Sequence, residues 1–87
     1  MDIELENEID LHHFHPGDTA SLVGDFIQQA YDKGYEVIRI IHGKGKSVRK
    51  KEVLKILQNH SLIRNFYNDR YNWGATIAEL INEKPTA

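Results

Sequence analysis

Tyr35-Glu36-Val37-Ile38-Arg39-Ile40-Ile41-His42-Gly43-Lys44-Gly45 is the stretch that decides how this chain folds. Tyr35 to Ile41 is β-branched and apolar at nearly every position, as expected of an interior strand covered on both faces or nearly so. The glycine-flanked lysine then breaks the strand, and Val48 to His60 resumes with helical spacing. That spacing turns Val53, Leu54, Ile56 and Leu57 inward and Lys50, Lys51 and Lys55 outward. A loop between such a strand and such a helix directs backbone N–H groups and the positive end of the helix dipole toward one point. Lys44 adds a full charge, and the glycines let backbone approach a bound group closely. His42 to Gly45 is therefore expected to cradle a phosphate. The competing reading is a plain strand-to-helix turn, which also favours glycine.

Upstream of this stretch, Ile9-Asp10-Leu11-His12 alternates in the manner of a half-buried strand. Strand periodicity puts Asp10 and His12 on one face and Ile9 and Leu11 on the other. His15-Pro16-Gly17-Asp18 reads as a turn, with Asp18 or Thr19 available to cap the helix that follows. From Thr19 to Lys33, Ala20, Val23, Phe26, Ile27, Ala30 and Tyr31 recur as one helical stripe, and Gly34 is placed to end it. Downstream, Ile63 to Tyr67 and Thr76 to Ile81 read as a third and a fourth strand. The order β-α-β-α-β-β predicts an α/β two-layer sandwich, with two helices on one face of a mixed four-stranded sheet. One domain is expected over 1–87, with its core at about 8–81, an acidic extension at 1–7 and a frayed tail at 82–87.

Composition narrows the functional classes. The 87 residues include no cysteine, which excludes disulfides, thiolate zinc sites and a cysteine nucleophile. The apolar run at Val37 to Ile41 is far short of the ~20 residues of a membrane span, and the acidic start does not read as a signal peptide. A cytoplasmic protein with no membrane partner is expected, and a monomer. The net charge is −2, but it is unevenly spread. Residues 1–36 hold nine acidic side chains and one basic, whereas residues 37–87 hold four and ten. Lys44, Lys46, Arg49, Lys50 and Lys51 fall within one short run, and local field rather than total charge attracts a polyanion. A solvated helix face with surplus lysines accounts for the same run.

Two further groups carry potential chemistry. An aspartate beside a histidine can orient it and stabilise its charged form, as acid–base catalysis requires, so Asp10 and His12 are candidates. The alternative is the polar face of an edge strand. His12, His13 and His15 raise the question of a metal site, but His12 and His13 diverge on a strand and no carboxylate or cysteine completes a ligand set. No metal site and no cofactor are expected, although a dependence on divalent metal stays open. His60 is read as a partner for the dipole of the second helix. Gly45-Lys46-Ser47 lacks the earlier glycine of a nucleotide-binding loop, since Ile40 stands there.

Ile9-Asp10-Leu11-His12, His42-Gly43-Lys44-Gly45 and Gly74-Ala75-Thr76-Ile77-Ala78-Glu79-Leu80 together resemble the three signature segments of the Smr (small MutS-related) domain, in order and at its spacing. Asp-Leu-His-x-Phe-x-Pro at 10–16 and Trp-Gly-Ala-Thr at 73–76 are similar to the stand-alone bacterial members. The resemblance implies a sandwich like the C-terminal domain of bacterial translation initiation factor 3, and endonuclease activity on RNA or DNA. It implies that Asp10, His12 and His42 serve cleavage. Gly43, Lys44 and Gly45 would bind the substrate and Thr76 would lie beside it, with Lys46, Arg49 and Lys50 of the basic run as further binding candidates. Nucleic acid is the implied partner, with the ribosome or the repair machinery beyond it. The chain departs from the family at His13, a common glycine position, at Ser47, another, and at Lys50, where arginine is common.

Three readings follow: an endonuclease, a non-catalytic module for structured nucleic acid, and a protein-interaction domain using Phe14, Tyr71 and Trp73. In the first, an RNA substrate could supply its own 2′-hydroxyl as nucleophile without metal.

Overall fold

A computed structural model describes residues 7–44 and 47–81, the side chain of Ser47 excepted. The expected extension, the tail, Gly45 and Lys46 thus lie wholly or almost wholly outside the described residues. Four strands, β1 (Glu8–Asp10), β2 (Val37–Ile41), β3 (Ile63–Asn68) and β4 (Ala75–Leu80), form one sheet in the order β1-β2-β4-β3. Two helices, α1 (Thr19–Asp32) and α2 (Ser47–Asn59), pack on one face of it. The sandwich is the expected one, and its sheet is mixed: β1 runs parallel to β2, and β4 is antiparallel to both β2 and β3. α1 joins parallel neighbours, but α2 does not. β4 inserts between β2 and β3, so the second crossover spans two positions.

The core lies between helices and sheet. Val23, Ile27 and Ala30 of α1 and Val53 and Leu57 of α2 meet Ile38, Ile40, Ala78 and Leu80. Burial in β2 alternates, in contrast to the expected cover on both faces. Ile38 and Ile40 are fully buried, whereas Val37 is 43% exposed on the open face. Arg39 shares that open face and ties three elements together, its guanidinium reaching Glu8 at 3.3 Å and Asp69 at 2.8 Å. An arginine is tolerated mid-strand because a two-layer fold leaves one sheet face wet.

The helix ends show which sequence signals were used. Gly34 takes φ +85°, while Gly34 N donates to Tyr31 O and Tyr35 N to Ala30 O, so α1 closes in a Schellman motif. At its start neither expected cap operates. Asp18 makes no capping bond, and buried Thr19 donates its hydroxyl to Pro16 O at 2.9 Å. His60 also differs from expectation: its Nδ1 accepts from Leu62 N at 3.1 Å, fixing the turn into β3.

Candidate functional site

The first strand stops two residues earlier than the alternation suggests. Asp10 is its last residue, and Leu11–His13 form a 3₁₀ turn. Two interactions produce the change. The Asp10 carboxylate accepts from His12 N at 2.9 Å, as a cap, and the Leu11 side chain turns fully into the core. A period-two pattern is met either way, because a turn can bury Leu11 as well as a strand can. Asp10 therefore holds the His12 backbone, in contrast to the expected orientation of the His12 ring. Its second oxygen lies 3.8 Å from His13 Nε2. The expected divergence of His12 and His13 also fails, since their rings stack with centroids 5.3 Å apart and planes at 29°.

Arg49, in the first turn of α2, closes this segment from the other side. Its guanidinium donates to Leu11 O and, at 3.2 Å, to Phe14 O. Two of its N–H groups are thus directed at backbone carbonyls across the cleft.

The glycine loop is built differently. His42 is only 5% exposed. Its Nε2 lies 2.9 Å from the hydroxyl of fully buried Thr76, and its Nδ1 lies 3.2 Å from Gly43 O. A carbonyl only accepts, so Nδ1 carries the proton and Nε2 accepts from Thr76. Burial lowers the pKa of this imidazole, Gly43 O pulls it the other way, and the Lys50 ammonium lowers it further. Both nitrogens are engaged, and burial favours the neutral ring. Below it, Gly74 O accepts from both His42 N and Gly43 N at 2.9 Å. Gly43 has φ +94°, a region that suits glycine. At Gly74 an added Cβ would come within 3.1 Å of the Gly43 carbonyl carbon and 2.8 Å of Lys44 Cγ.

The turn and the loop face one cleft of about 580 Å³ at the carboxyl ends of β1 and β2. Asp10, His12, His42, Gly43, Lys44 and Arg49 all line it, with Pro16, Ile41 and Val48 as its apolar part. Thr76 stands behind it through His42, and Lys50 acts on it by charge. Glu52 also lines the cleft and was missed in the sequence. Its position was legible, because Glu52 lies three and four residues after Arg49 and Val48 on one helical face. Gly45 and Lys46 fall outside the described residues. Among the described residues, no group of three or more His, Cys, Asp or Glu side chains could hold a metal ion. Nor is any helix there long and apolar enough to cross a membrane.

The Smr domain family profile matches residues 9–81, which spans both the turn and the loop. The chain belongs to the Smr domain family. An endonuclease MutS2 of Staphylococcus epidermidis is 32% identical over 87% of this chain, and one of Clostridium tetani is 26% identical over 92%. The match covers 10% of each of these relatives, so the chain spans about a tenth of their length. The Smr domain of Thermus thermophilus MutS2 superposes with a TM-score of 0.81 at 20% identity, covering 86% of this chain and 98% of that one. YdaL, a stand-alone small MutS-related protein from Escherichia coli, gives 0.81 at 23%, covering 86% and 64%. These likenesses establish the Smr fold for the sandwich described above.

Proposed function

We propose that this Smr domain binds nucleic acid along the cleft and cleaves its phosphodiester backbone there. One observation carries the reading: an exposed imidazole, His12, and a lysine-bearing glycine loop, Gly43-Lys44, line the same cleft. The name endonuclease borne by the MutS2 relatives points the same way. A phosphate rests against Gly43, Lys44 and the first turn of α2, with Lys50 adding charge and Gly45 and Lys46, next in sequence, completing the proposed binding residues. Fixed positive charge at that point stabilises the negative charge that develops on the phosphoryl oxygens.

His12 moves the proton in this reading, since it is exposed and lines the cleft. Asp10 and Arg49 hold the turn that carries it. His42 acts as a positioning residue, because both ring nitrogens are already bonded, the Gly43 carbonyl fixing its tautomer and Thr76 donating to Nε2. On RNA the 2′-oxygen attacks the adjacent phosphorus as its proton leaves. The bond to the 5′-oxygen breaks, and that oxygen takes up a proton. The products are a 2′,3′-cyclic phosphate and a 5′-hydroxyl, with no net water consumed.

Labelled single-stranded RNA, supercoiled plasmid and branched DNA test the reading, each with divalent metal and with EDTA. Wild type is run beside Asp10→Ala, His12→Ala and Lys44→Ala. The expected result is cleavage that His12→Ala abolishes while binding persists, and cyclic-phosphate ends if RNA is cut. Cleavage unchanged in all three variants removes the enzyme reading. A non-catalytic binding module is the second reading, favoured by the bonding of Asp10 to the His12 backbone instead of its ring. It predicts binding that weakens steeply with salt and no strand scission.

A further inference from the structure

Segment 69–74, between β3 and β4, leaves two aromatic rings in solvent: Tyr71 at 89% and Trp73 at 61% exposure. The backbone beneath them is well tied. Asp69 accepts from Tyr71 N at 2.9 Å while its other oxygen meets Arg39. Asn72 accepts from Gly74 N through its side chain and from Ala75 N through its carbonyl. The rings are therefore displayed by a braced loop.

Trp73 differs from Tyr71 in what lies against it. The Lys44 ammonium sits 5.3 Å from the centre of the indole, a cation over an electron-rich face. The two residues are also joined through the backbone, because the carbonyl of Gly74, next to Trp73, accepts from the N–H groups of His42 and Gly43, which precede Lys44. A phosphate-seeking cation and an open aromatic face thus lie within the reach of a single nucleotide. That pairing is what unpaired nucleic acid requires, since a stacked base leaves its own phosphate beside the ring. In a duplex the faces of each base are already covered by the bases stacked above and below it.

We propose that Trp73 is a stacking platform for an unpaired nucleobase, with Lys44 taking the adjoining phosphate, so that the domain selects single-stranded over duplex nucleic acid. This rests on the nucleic-acid reading above and names its substrate class. Tyr71, with no cation against its ring among the described contacts, is not part of the subsite.

Trp73 is the sole tryptophan, so its fluorescence reports the subsite directly. Wild type, Trp73→Ala, Trp73→Phe and Tyr71→Ala are titrated at low salt into a dye-labelled single-stranded oligonucleotide and the corresponding duplex. Affinity is read from the anisotropy of the dye, and quenching is followed in the two proteins that keep Trp73. Circular dichroism confirms that each variant is folded. Expected are quenching by the single strand only, and a loss of about tenfold or more in single-strand affinity for Trp73→Ala. Trp73→Phe should retain most of the affinity, and duplex binding and Tyr71→Ala should be unaffected. Equal single-strand affinity in wild type and Trp73→Ala overturns the platform and leaves the proposed function standing. So does an equal loss in Tyr71→Ala, or an equal loss of duplex binding. If wild type binds neither oligonucleotide, the platform and the nucleic-acid reading both fall.

Discussion

The cleft is bounded on one side by the turn at residues 10–14 and on another by residues 42–44, which form a junction with residues 74–76 behind them. The turn is held by a local carboxylate cap, by one buried side chain, Leu11, and by the reach of Arg49 from α2. The junction is held by bonds between segments more than thirty residues apart in sequence, His42 to Thr76 and Gly74 to both loop amides. His12 and His13 stay exposed in the turn, while His42 and Thr76 are buried in the junction. The difference separates two uses of the same residue type. An exposed imidazole can exchange protons with a substrate, and a buried, doubly bonded one shapes the loop beside it.

The largest effect that would test this division is on His12. His12→Ala should lower cleavage by about 10²–10⁴-fold, the usual contribution of a positioned acid or base. Its stability should stay within about 0.5 kcal/mol of wild type, as for a surface change. A large drop in the denaturant midpoint would mean that the turn, too, is held by its histidine.

Thr76→Val should act the other way round. It keeps the shape but removes the donor to His42 Nε2, leaving a buried acceptor unmet at a cost of about 1–3 kcal/mol. Urea unfolding measures this directly, and a neutral result would remove the case for the junction as scaffold. Arg49→Met, which keeps the apolar stem, should cost about 1 kcal/mol from the bonds to Leu11 and Phe14. Cleavage should fall more than stability does, because His12 rides on the released turn. If the two fall in proportion, Arg49 is a general stabiliser.

The smallest effect concerns pH. Burial, assisted by Lys50, holds the His42 pKa below its ordinary value of 6.5. Below that pH the unfolded chain takes up a proton there, and the folded protein does not until a lower pH. The contribution is complete above pH 6.5 and declines as the pH falls from 6.5 to the folded-state value. Between about pH 5 and 8, wild type should therefore lose more stability on acidification than His42→Asn does. Parallel curves would show that the ring is not held neutral.

How much of this was open to sequence reading varies with the range of the interaction. The apolar run of Val37 to Ile41, the stripe of Val23, Ile27 and Ala30 and the glycine at 34 depend on neighbours along the chain, and they gave the elements of the sandwich, although the run read as covered on both faces where burial in β2 alternates. Ile9 to His12 was ambiguous because strand and turn both bury Leu11, and an aspartate at position 10 fits a strand as well as it fits the cap on His12 N that it makes here. Arg49 read as part of a basic face, yet its bonds depend on where Leu11 and Phe14 carbonyls come to lie. The family resemblance grouped His42 with Thr76. The bond between them, and the Gly43 carbonyl that fixes the tautomer, needed coordinates.

The carbonyl of Gly74, shared by the amides of His42 and Gly43, has a kinetic consequence. Those two amides sit in a connecting loop but should exchange with deuterium as slowly as the strands beside them. The stretch of loop they anchor is then ordered before any ligand arrives, and little further conformational entropy is lost there when an anion docks.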